Sequence, residues 1–528
     1  MNLKLESLLL YAVTDRTWLG GQTLAQQVEA ALRGGVTMVQ LREKDLRGEE
    51  LEQEAGEILA LCRRYGVPLL INDDVELAAR IGADGVHVGQ DDMAAAEARA
   101  LLGPDAIVGV TARTVDQALA AEAAGADYLG SGAVFGTSTK KDAKAMDPAY
   151  FQKICESVSI PVVAIGGITA GNIRRLEGRK MSGFAIVSGI FAAEDIEAKT
   201  RQLWKEAQAL CLPGAVDRLR AAVLERRPVV QCITNIVTVN DCANALLAAG
   251  ASPTMAHHPE EMEDFAQTTD ALVCNMGATE SLEAMLRAGE ASLNAARTVR
   301  AAKAAEAASA AVEAFMDGAD LTKIRQWLRP AVIDPVGCAA SAFRREKCLD
   351  LISRIHPACI RGNAAEISAL ATGHNTGRGV DVLKAVLEEW IGDKPAGENS
   401  PAGPGPDPDL PEAVRDAVAL SRKTGAIVVA SGETDYITDG IRVYEAHGGT
   451  PWMTRVTGTG CMLSSLLGAF LAVENSALAA AACCGMMNAC AEEAALRTAG
   501  EGGGTGTFRV RLIDAMSGTV TVHALSRA

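Results

Sequence analysis

Gln40-Leu41-Arg42-Glu43-Lys44 places an amide and two cations at the end of an apolar run. Strand alternation predicts Gln40, Arg42 and Lys44 on one side, a grouping that suits a diphosphate. A solvated strand end with ion pairs would use the same residues. Asn72-Asp73 and Asp92 close two further runs. Carboxylates from neighbouring strand tips, near an amide oxygen, match the oxygen coordination of Mg²⁺. Helix capping is the competing use of each, because Asp and Asn are good N-caps and helical sequence follows both. Thr137-Ser138-Thr139-Lys140-Lys141 offers hydroxyls, loop amides and ammonium groups to an anion. Gly166-Gly167 and Val187-Ser188 follow two more runs. They supply backbone N–H groups of the kind a phosphate takes, although a glycine pair also fits a tight turn.

A second group lies towards the C-terminus. Val456-Thr457-Gly458-Thr459-Gly460-Cys461 precedes the apolar run MLSSLLGAFLAV. Glycines opening a helix leave N–H groups and the positive dipole end free to meet a transferring phosphoryl group. Cys461 stands at that helix start, where its pKa is expected to fall below the reference of about 8.5. Such a thiol can take a proton from an alcohol attacking ATP. A helix cap followed by a buried cysteine fits the motif equally well. Ile333-Asp334-Pro335-Val336-Gly337 reads as a buried strand ending in a carboxylate. Arg361-Gly362-Asn363-Ala364-Ala365-Glu366 reads as a strand-to-helix turn with a cation, an amide and an acid. Asp334 and Glu366 suit a Mg²⁺–nucleotide, directly or through water; each is equally suited to a cap or an ion pair.

These groups need a scaffold, and the apolar runs indicate one. Runs at 8–15, 37–44, 68–73, 85–92, 107–113, 128–136, 161–169 and 184–190 alternate with helical sequence. Eight βα repeats in about 210 residues predict a (β/α)₈ TIM barrel with its polar residues at the C-terminal strand ends. A boundary is expected near Leu212-Pro213-Gly214, dividing the chain into 1–212 and 213–528. The second part is an α/β pattern with strands expected at 228–235, 271–277, 330–337, 359–363 and 426–435. Residues 291–328 and 392–411 look inserted, the first helical and the second Pro/Gly-rich.

Composition narrows the class. The 528 residues are 48% hydrophobic and 22% charged, with a net charge of −16, which disfavours nucleic acid and anionic membranes as partners. Thirteen cysteines without a CxxC pair suit a reduced compartment. The start MNLKLESLLLYAVTD reads as the lead into a strand, and the run Leu463–Val473 is too short to span a bilayer. A soluble cytoplasmic protein acting on small molecules is expected.

In order, QLREKD, INDDVELA, GADGVHVGQDD, the TSTKK loop, AIGGIT and IVSGI resemble thiamine-phosphate synthase across the whole expected barrel. The resemblance implies condensation of aminopyrimidine-methyl diphosphate with thiazole phosphate, releasing diphosphate. It implies that Gln40, Leu41, Arg42, Glu43, Lys44, Asn72, Thr111 and Lys140 bind the pyrimidine diphosphate, and that Asp73 and Asp92 hold Mg²⁺. It assigns Thr137, Ser138, Thr139, Gly167, Val187 and Ser188 to the thiazole phosphate. Thr111 stands where the family usually has Ser, and GRKMSGF at 178–184 replaces the usual lead into the last strand.

From about residue 217, CITNIVTVNDCANALLAAGASPTMA, DPVG, IRGNAAEI, ASGETD and VTGTGC resemble hydroxyethylthiazole kinase, a ribokinase-like fold. That resemblance implies phosphorylation of 4-methyl-5-hydroxyethylthiazole by ATP with Mg²⁺. Met255 and Gly458 would contact the thiazole, Arg361 and Ser431 the nucleotide, and Cys461 would be the base. The family typically forms trimers, so a homo-oligomer through this part is implied. Ser431 replaces the usual Thr, and Cys338-Ala339-Ala340-Ser341 follows DPVG where a Gly-containing turn is common.

The kinase product is the second synthase substrate, so one bifunctional enzyme of thiamine synthesis and salvage is expected. Thiazole tautomerases, which the barrel also resembles, lack diphosphate chemistry; Arg42, Lys44, Asp73, Asp92 and Lys140 speak against that reading. A ligand sensor on degenerate enzyme domains is disfavoured by the intact Asp and Cys461 motifs.

Overall fold

The computed structural model describes residues 3–136, 145–307, 329–373 and 410–518. The chain divides into two compact units, one ending at Ala215 and one beginning at Val216.

In the first unit, eight short strands close into a parallel barrel: β1 (Leu10–Val13), β2 (Met38–Leu41), β3 (Leu69–Asn72), β4 (Gly85–Val88), β5 (Ile107–Thr111), β6 (Tyr128–Gly132), β7 (Val162–Ile165) and β8 (Gly183–Ile186). Seven fall within the runs expected from sequence, and β8 begins one residue ahead of its run. Strand β8 pairs back onto β1, with Leu10 opposite Phe184, so no edge is left open. Tyr11, Met38, Leu70, Ile107, Tyr128 and Val163 form part of a buried cluster in this unit. Every strand is parallel, so the C-terminal strand ends share one rim.

The helix Ile196–Arg226 includes Leu212-Pro213-Gly214, the stretch where sequence places the domain boundary. A proline inside a helix costs about 3 kcal/mol. Burial of Cys211, Leu212, Ala215, Val216 and Leu219 along the same stretch offsets that cost.

The second unit carries an eight-stranded sheet in the order β10-β9-β11-β12-β13-β14-β15-β16. The parallel strands are β9 (Val229–Ile233), β10 (Ser252–Thr254), β11 (Ala271–Asn275), β12 (Ala331–Asp334), β13 (Cys359–Asn363) and β14 (Ile427–Ser431). Antiparallel β15 (Asp435–Thr438) and β16 (Val443–Ala446) complete one edge. Sequence reading misses β10, β15 and β16. It also extends β14 through Gly432, where the chain instead turns into a hairpin. The helix Thr459–Val473 is buried along Met462–Leu471, as its all-round apolar composition requires.

The first expected insertion begins inside the helix Leu282–Ala307; its remainder, 308–328, lies outside the described residues. So does the second, apart from Leu410 and Pro411, which lead into the helix Glu412–Thr424.

Candidate active sites on the barrel rim and at the sheet edge

The barrel candidates gather at the C-terminal rim, but not by the alternation expected. Strand β2 ends at Leu41. Gln40 points into the barrel and donates to the Tyr11 hydroxyl. Arg42 is half-buried beside Asp15, 3.5 Å from its carboxylate, and its backbone N–H donates to the Thr14 hydroxyl at 2.9 Å. Lys44 lies beyond the strand in a bend and is exposed. The pleat ends before Arg42 and Lys44, and loop contacts position Arg42. The Glu43 side chain turns into an ion pair. Its carboxylate pairs with Arg16 and accepts the Asp45 N–H at 2.7 Å, with only 2% of the side chain exposed. Burial opposes its charge, yet these backbone donors and Arg16 together hold it below the usual carboxylate range.

The capping alternative for Asp73 fails on geometry. It is Asp74 that caps the helix Val75–Ile81, accepting the Leu77 N–H at 2.8 Å. Asp73 sits at φ 65°, its N–H donates to the His87 carbonyl on β4, and it accepts from Asn72 Nδ2. Asp92 caps no helix either: Ala94 precedes the helix Ala95–Leu102, while Asp92 Oδ2 closes a turn on the Gly89 N–H at 2.7 Å. Both carboxylates are exposed at the ends of paired strands. Two carboxylates suffice for Mg²⁺ when substrate phosphate and water complete its shell, so the donor set fits that ion.

Thr111 ends β5 and its Oγ1 lies 3.0 Å from His87 Nε2. His87 Nδ1 is 2.9 Å from the Tyr128 hydroxyl, which donates to Tyr11 at 3.0 Å. This chain of Gln40, Tyr11, Tyr128, His87 and Thr111 is absent from the sequence reading. Its signal was present: single polar or hydroxylated residues inside otherwise apolar strands.

Gly167 follows β7 at φ 68°, and a Cβ there would lie 2.3 Å from the Gly136 carbonyl. Only glycine lets the two loops approach this closely. Val187 precedes the short helix Ser188–Phe191, whose first turn leaves N–H groups unpaired within the helix. Thr137, Ser138, Thr139 and Lys140 lie outside the described residues.

In the second unit, the carboxyl edge of the parallel sheet holds Asn235 after β9, Met255 after β10, Asn275 on β11, Asp334 on β12, and Arg361 and Ser431 on β13 and β14. Gly458 precedes the helix Thr459–Val473 at φ 87°, where a Cβ would sit 2.8 Å from Thr238 Cγ2. Arg361 donates to Ser431 Oγ at 2.7 Å. Its guanidinium lies against Gly460, where a Cβ would come within 2.5 Å. The two residues assigned to nucleotide by resemblance are thus joined, and one lies at the helix start. Met255, half-buried, stands on the same sheet edge.

Asp334 is fully buried. Its Oδ2 accepts from Asn275 and from Ser464, each at 2.9 Å, while Oδ1 has no hydrogen-bond partner among the described residues. Burial raises its pKa, and the positive charge of Arg361 opposes that rise. A buried carboxylate oxygen without a donor is what a divalent cation would satisfy. Glu366 is committed differently. It completes a capping box with Asn363 and accepts the Gly337 N–H at 2.9 Å, tying the DPVG loop to the helix Ala364–Thr372.

Cys461 departs from expectation. All thirteen cysteines are free and twelve are buried; Cys461 is half-buried. Its sulfur accepts from Asn275 Nδ2 at 3.1 Å. Burial, then the negative field of Asp334, push its pKa up to about 12, outweighing the helix N-terminus that was expected to lower it. In the chain without nucleotide, carbamidomethylation of Cys461 should rise about tenfold per pH unit between pH 7 and 9. Mass spectrometry of the labelled peptide measures this. A slope that flattens as pH 9 is approached would show a thiol of ordinary acidity.

Comparison with known proteins follows this geometry. Residues 10–190 match the family model described as thiamine monophosphate synthase. Residues 221–316, 306–392 and 407–521 match the hydroxyethylthiazole kinase family. The chain is 30% identical to the probable thiamine biosynthetic bifunctional enzyme of Schizosaccharomyces pombe, over 96% of this chain and 93% of that one. It is 32% identical to the thiamine biosynthetic bifunctional enzyme of Saccharomyces cerevisiae, over 88% and 86%. Its first part is 46% identical to thiamine-phosphate synthase of Ruminiclostridium cellulolyticum, covering 37% of this chain and 92% of that protein. A phosphate-suited barrel rim and a glycine-opened helix on an α/β sheet define two transferase domains in one polypeptide. The chain belongs to the bifunctional thiamine biosynthetic enzymes, with a thiamine-phosphate synthase domain followed by a hydroxyethylthiazole kinase domain. Among the described residues no helix is long and apolar enough to cross a membrane.

Proposed function

We propose that residues 213–528 phosphorylate 4-methyl-5-(2-hydroxyethyl)thiazole with ATP, and that residues 1–212 join the thiazole phosphate to 4-amino-2-methyl-5-(diphosphooxymethyl)pyrimidine. The observation that carries this reading is the pairing of two separate phosphate-suited sites with family matches on both halves.

In the barrel, Arg42, Lys44 and Lys140 neutralise the diphosphate as its bond to the pyrimidine methylene breaks. Asp73 and Asp92 would hold Mg²⁺, whose charge would help stabilise the departing oxygens. Gln40 and Thr111, backed by the Tyr11–Tyr128–His87 chain, orient the pyrimidine. Asn72 steadies Asp73, and the Leu41 and Glu43 backbone frames the loop. Thr137, Ser138, Thr139, Gly167, Val187 and Ser188 hold the thiazole phosphate, leaving the thiazole nitrogen to attack. No protein nucleophile is needed; positioning and charge neutralisation are the protein's tasks.

In the kinase, Met255 and Gly458 seat the thiazole, and Arg361 and Ser431 hold the nucleotide at the helix start. Cys461 takes the hydroxyl proton. Mg²⁺ at Asp334, with Glu366 acting through water, would shield the phosphoryl oxygens and remove the negative field that keeps the Cys461 proton in place. Free thiols support a cytoplasmic setting. Exposed Ile236 and Val237 beside Asn235 support a homo-oligomer through this domain, a trimer by family resemblance.

The test is turnover by the purified chain. Thiazole alcohol, ATP, Mg²⁺ and pyrimidine diphosphate should yield thiamine phosphate, ADP and diphosphate. Stoichiometric binding without product would favour a sensor and sink the reading.

A further inference from the structure

Asn275, 1% exposed at the end of β11, was assigned no role above, yet it touches four polar groups. Its Oδ1 accepts the Gly277 N–H at 2.8 Å and Asn235 Nδ2 at 3.2 Å. A backbone N–H can only donate, so the atom facing Gly277 must be the amide oxygen. This settles the side chain's orientation. Nδ2 therefore faces the other way, and its two hydrogens go to Asp334 Oδ2 at 2.9 Å and Cys461 Sγ at 3.1 Å. Asn235 Nδ2 lies 3.8 Å from the same sulfur.

A sulfur that accepts here cannot also point its proton here. The thiol hydrogen, when present, is directed elsewhere, and the sulfur lone pairs are held by an amide locked at its other three contacts. Asp334 does not depend on this bond alone, because Ser464 holds the same oxygen.

We infer that Asn275 is a positioning residue for Cys461: pinned by Gly277, Asn235 and Asp334, it donates its remaining hydrogen to the sulfur and so fixes the proton acceptor of the kinase reaction. This rests on Cys461 being that acceptor. The inference adds a residue from β11, 186 positions away in sequence from the cysteine at the glycine-opened helix.

The test is a double-mutant cycle in the full-length chain, reading thiazole phosphorylation. Asn275→Ala should lower kcat on the order of tenfold to a hundredfold, with KM for ATP changed less than about threefold. Adding Asn275→Ala to Cys461→Ala should slow the reaction no further than about twofold, because the residue acts through the sulfur. Multiplying effects would overturn the inference, as would a tenfold rise in KM for ATP, which would place the effect at Asp334. A second readout needs no turnover. Carbamidomethylation of Cys461 at fixed pH should slow in Asn275→Ala, since the sulfur loses a donor that favours its anionic form. An unchanged or faster rate would overturn it. If Asn275→Ala does not fold, Asn275→Ser, still able to accept from Gly277, carries the same cycle. Full activity in Cys461→Ala alone would instead overturn the base assignment, and the labelling rate would still judge Asn275.

Discussion

Asp92→Ala is expected to abolish formation of thiamine phosphate while leaving thiazole phosphorylation at its native rate. Asp92 is exposed and accepts the Gly89 N–H, closing a surface turn. Its removal should therefore cost little stability, within about 1 kcal/mol. The loss should fall on catalysis. Removing one of two carboxylates that anchor Mg²⁺ forfeits stabilisation of the leaving diphosphate, worth about 3–4 kcal/mol, or a factor of 10²–10³. Asp92→Asn separates charge from turn geometry, because its amide oxygen can still accept from Gly89. It should be nearly as inactive as Asp92→Ala. Both activities are measured on the same preparation, one by thiamine phosphate and one by ADP. Loss of both would mean that the halves do not fold and work independently; near-native condensation in Asp92→Asn would remove the carboxylate from the metal site.

The converse result is expected for Cys461→Ala. Phosphorylation should fall by about 10²–10⁴, the usual contribution of a positioned base. Supplied thiazole phosphate should restore thiamine phosphate output in full, since the barrel is intact. Cys461→Ser discriminates further. A hydroxyl preserves the contact with Asn275 but gives up its own proton with far more difficulty than a thiol, so it should rescue structure and not rate. An unaffected rate in Cys461→Ala would remove Cys461 from proton transfer. The thiol's high resting pKa makes this test sharp, because the sulfur is not a ready-made thiolate.

Much of the architecture could be read from periodicity. Apolar runs bounded by polar residues marked all eight barrel strands, and buried parallel strands are marked so because both faces are covered. The three strands that escaped are of another kind. β10 is three residues long, and β15 and β16 form a hairpin with mixed burial, so neither leaves a continuous apolar run.

Chemistry was legible where a residue's type alone restricts its use. Asp73, Asp92, Arg42, Arg361 and Cys461 stood out because charge or thiol at the end of an apolar run is costly unless it is solvated, paired or functional. Direction was not legible. Gln40 and Glu43 are three residues apart, yet one enters the barrel and the other turns into an ion pair with Arg16. Asp73 and Asp74 are adjacent, yet only the second is a cap.

Residue order thus specified two domains, most of their strands and the chemical groups at the strand ends, because burial periodicity and side-chain type are local properties of a chain. Folding in space settled which groups meet. Asn275 and Cys461 are 186 positions apart and share a hydrogen bond; Asp334 and Ser464 are separated by 130 and share another. Their partnership, and the raised pKa of Cys461 that goes with it, depend on desolvation and on distances of about 3 Å, which arise when parallel strands end at one edge and a helix starts above them.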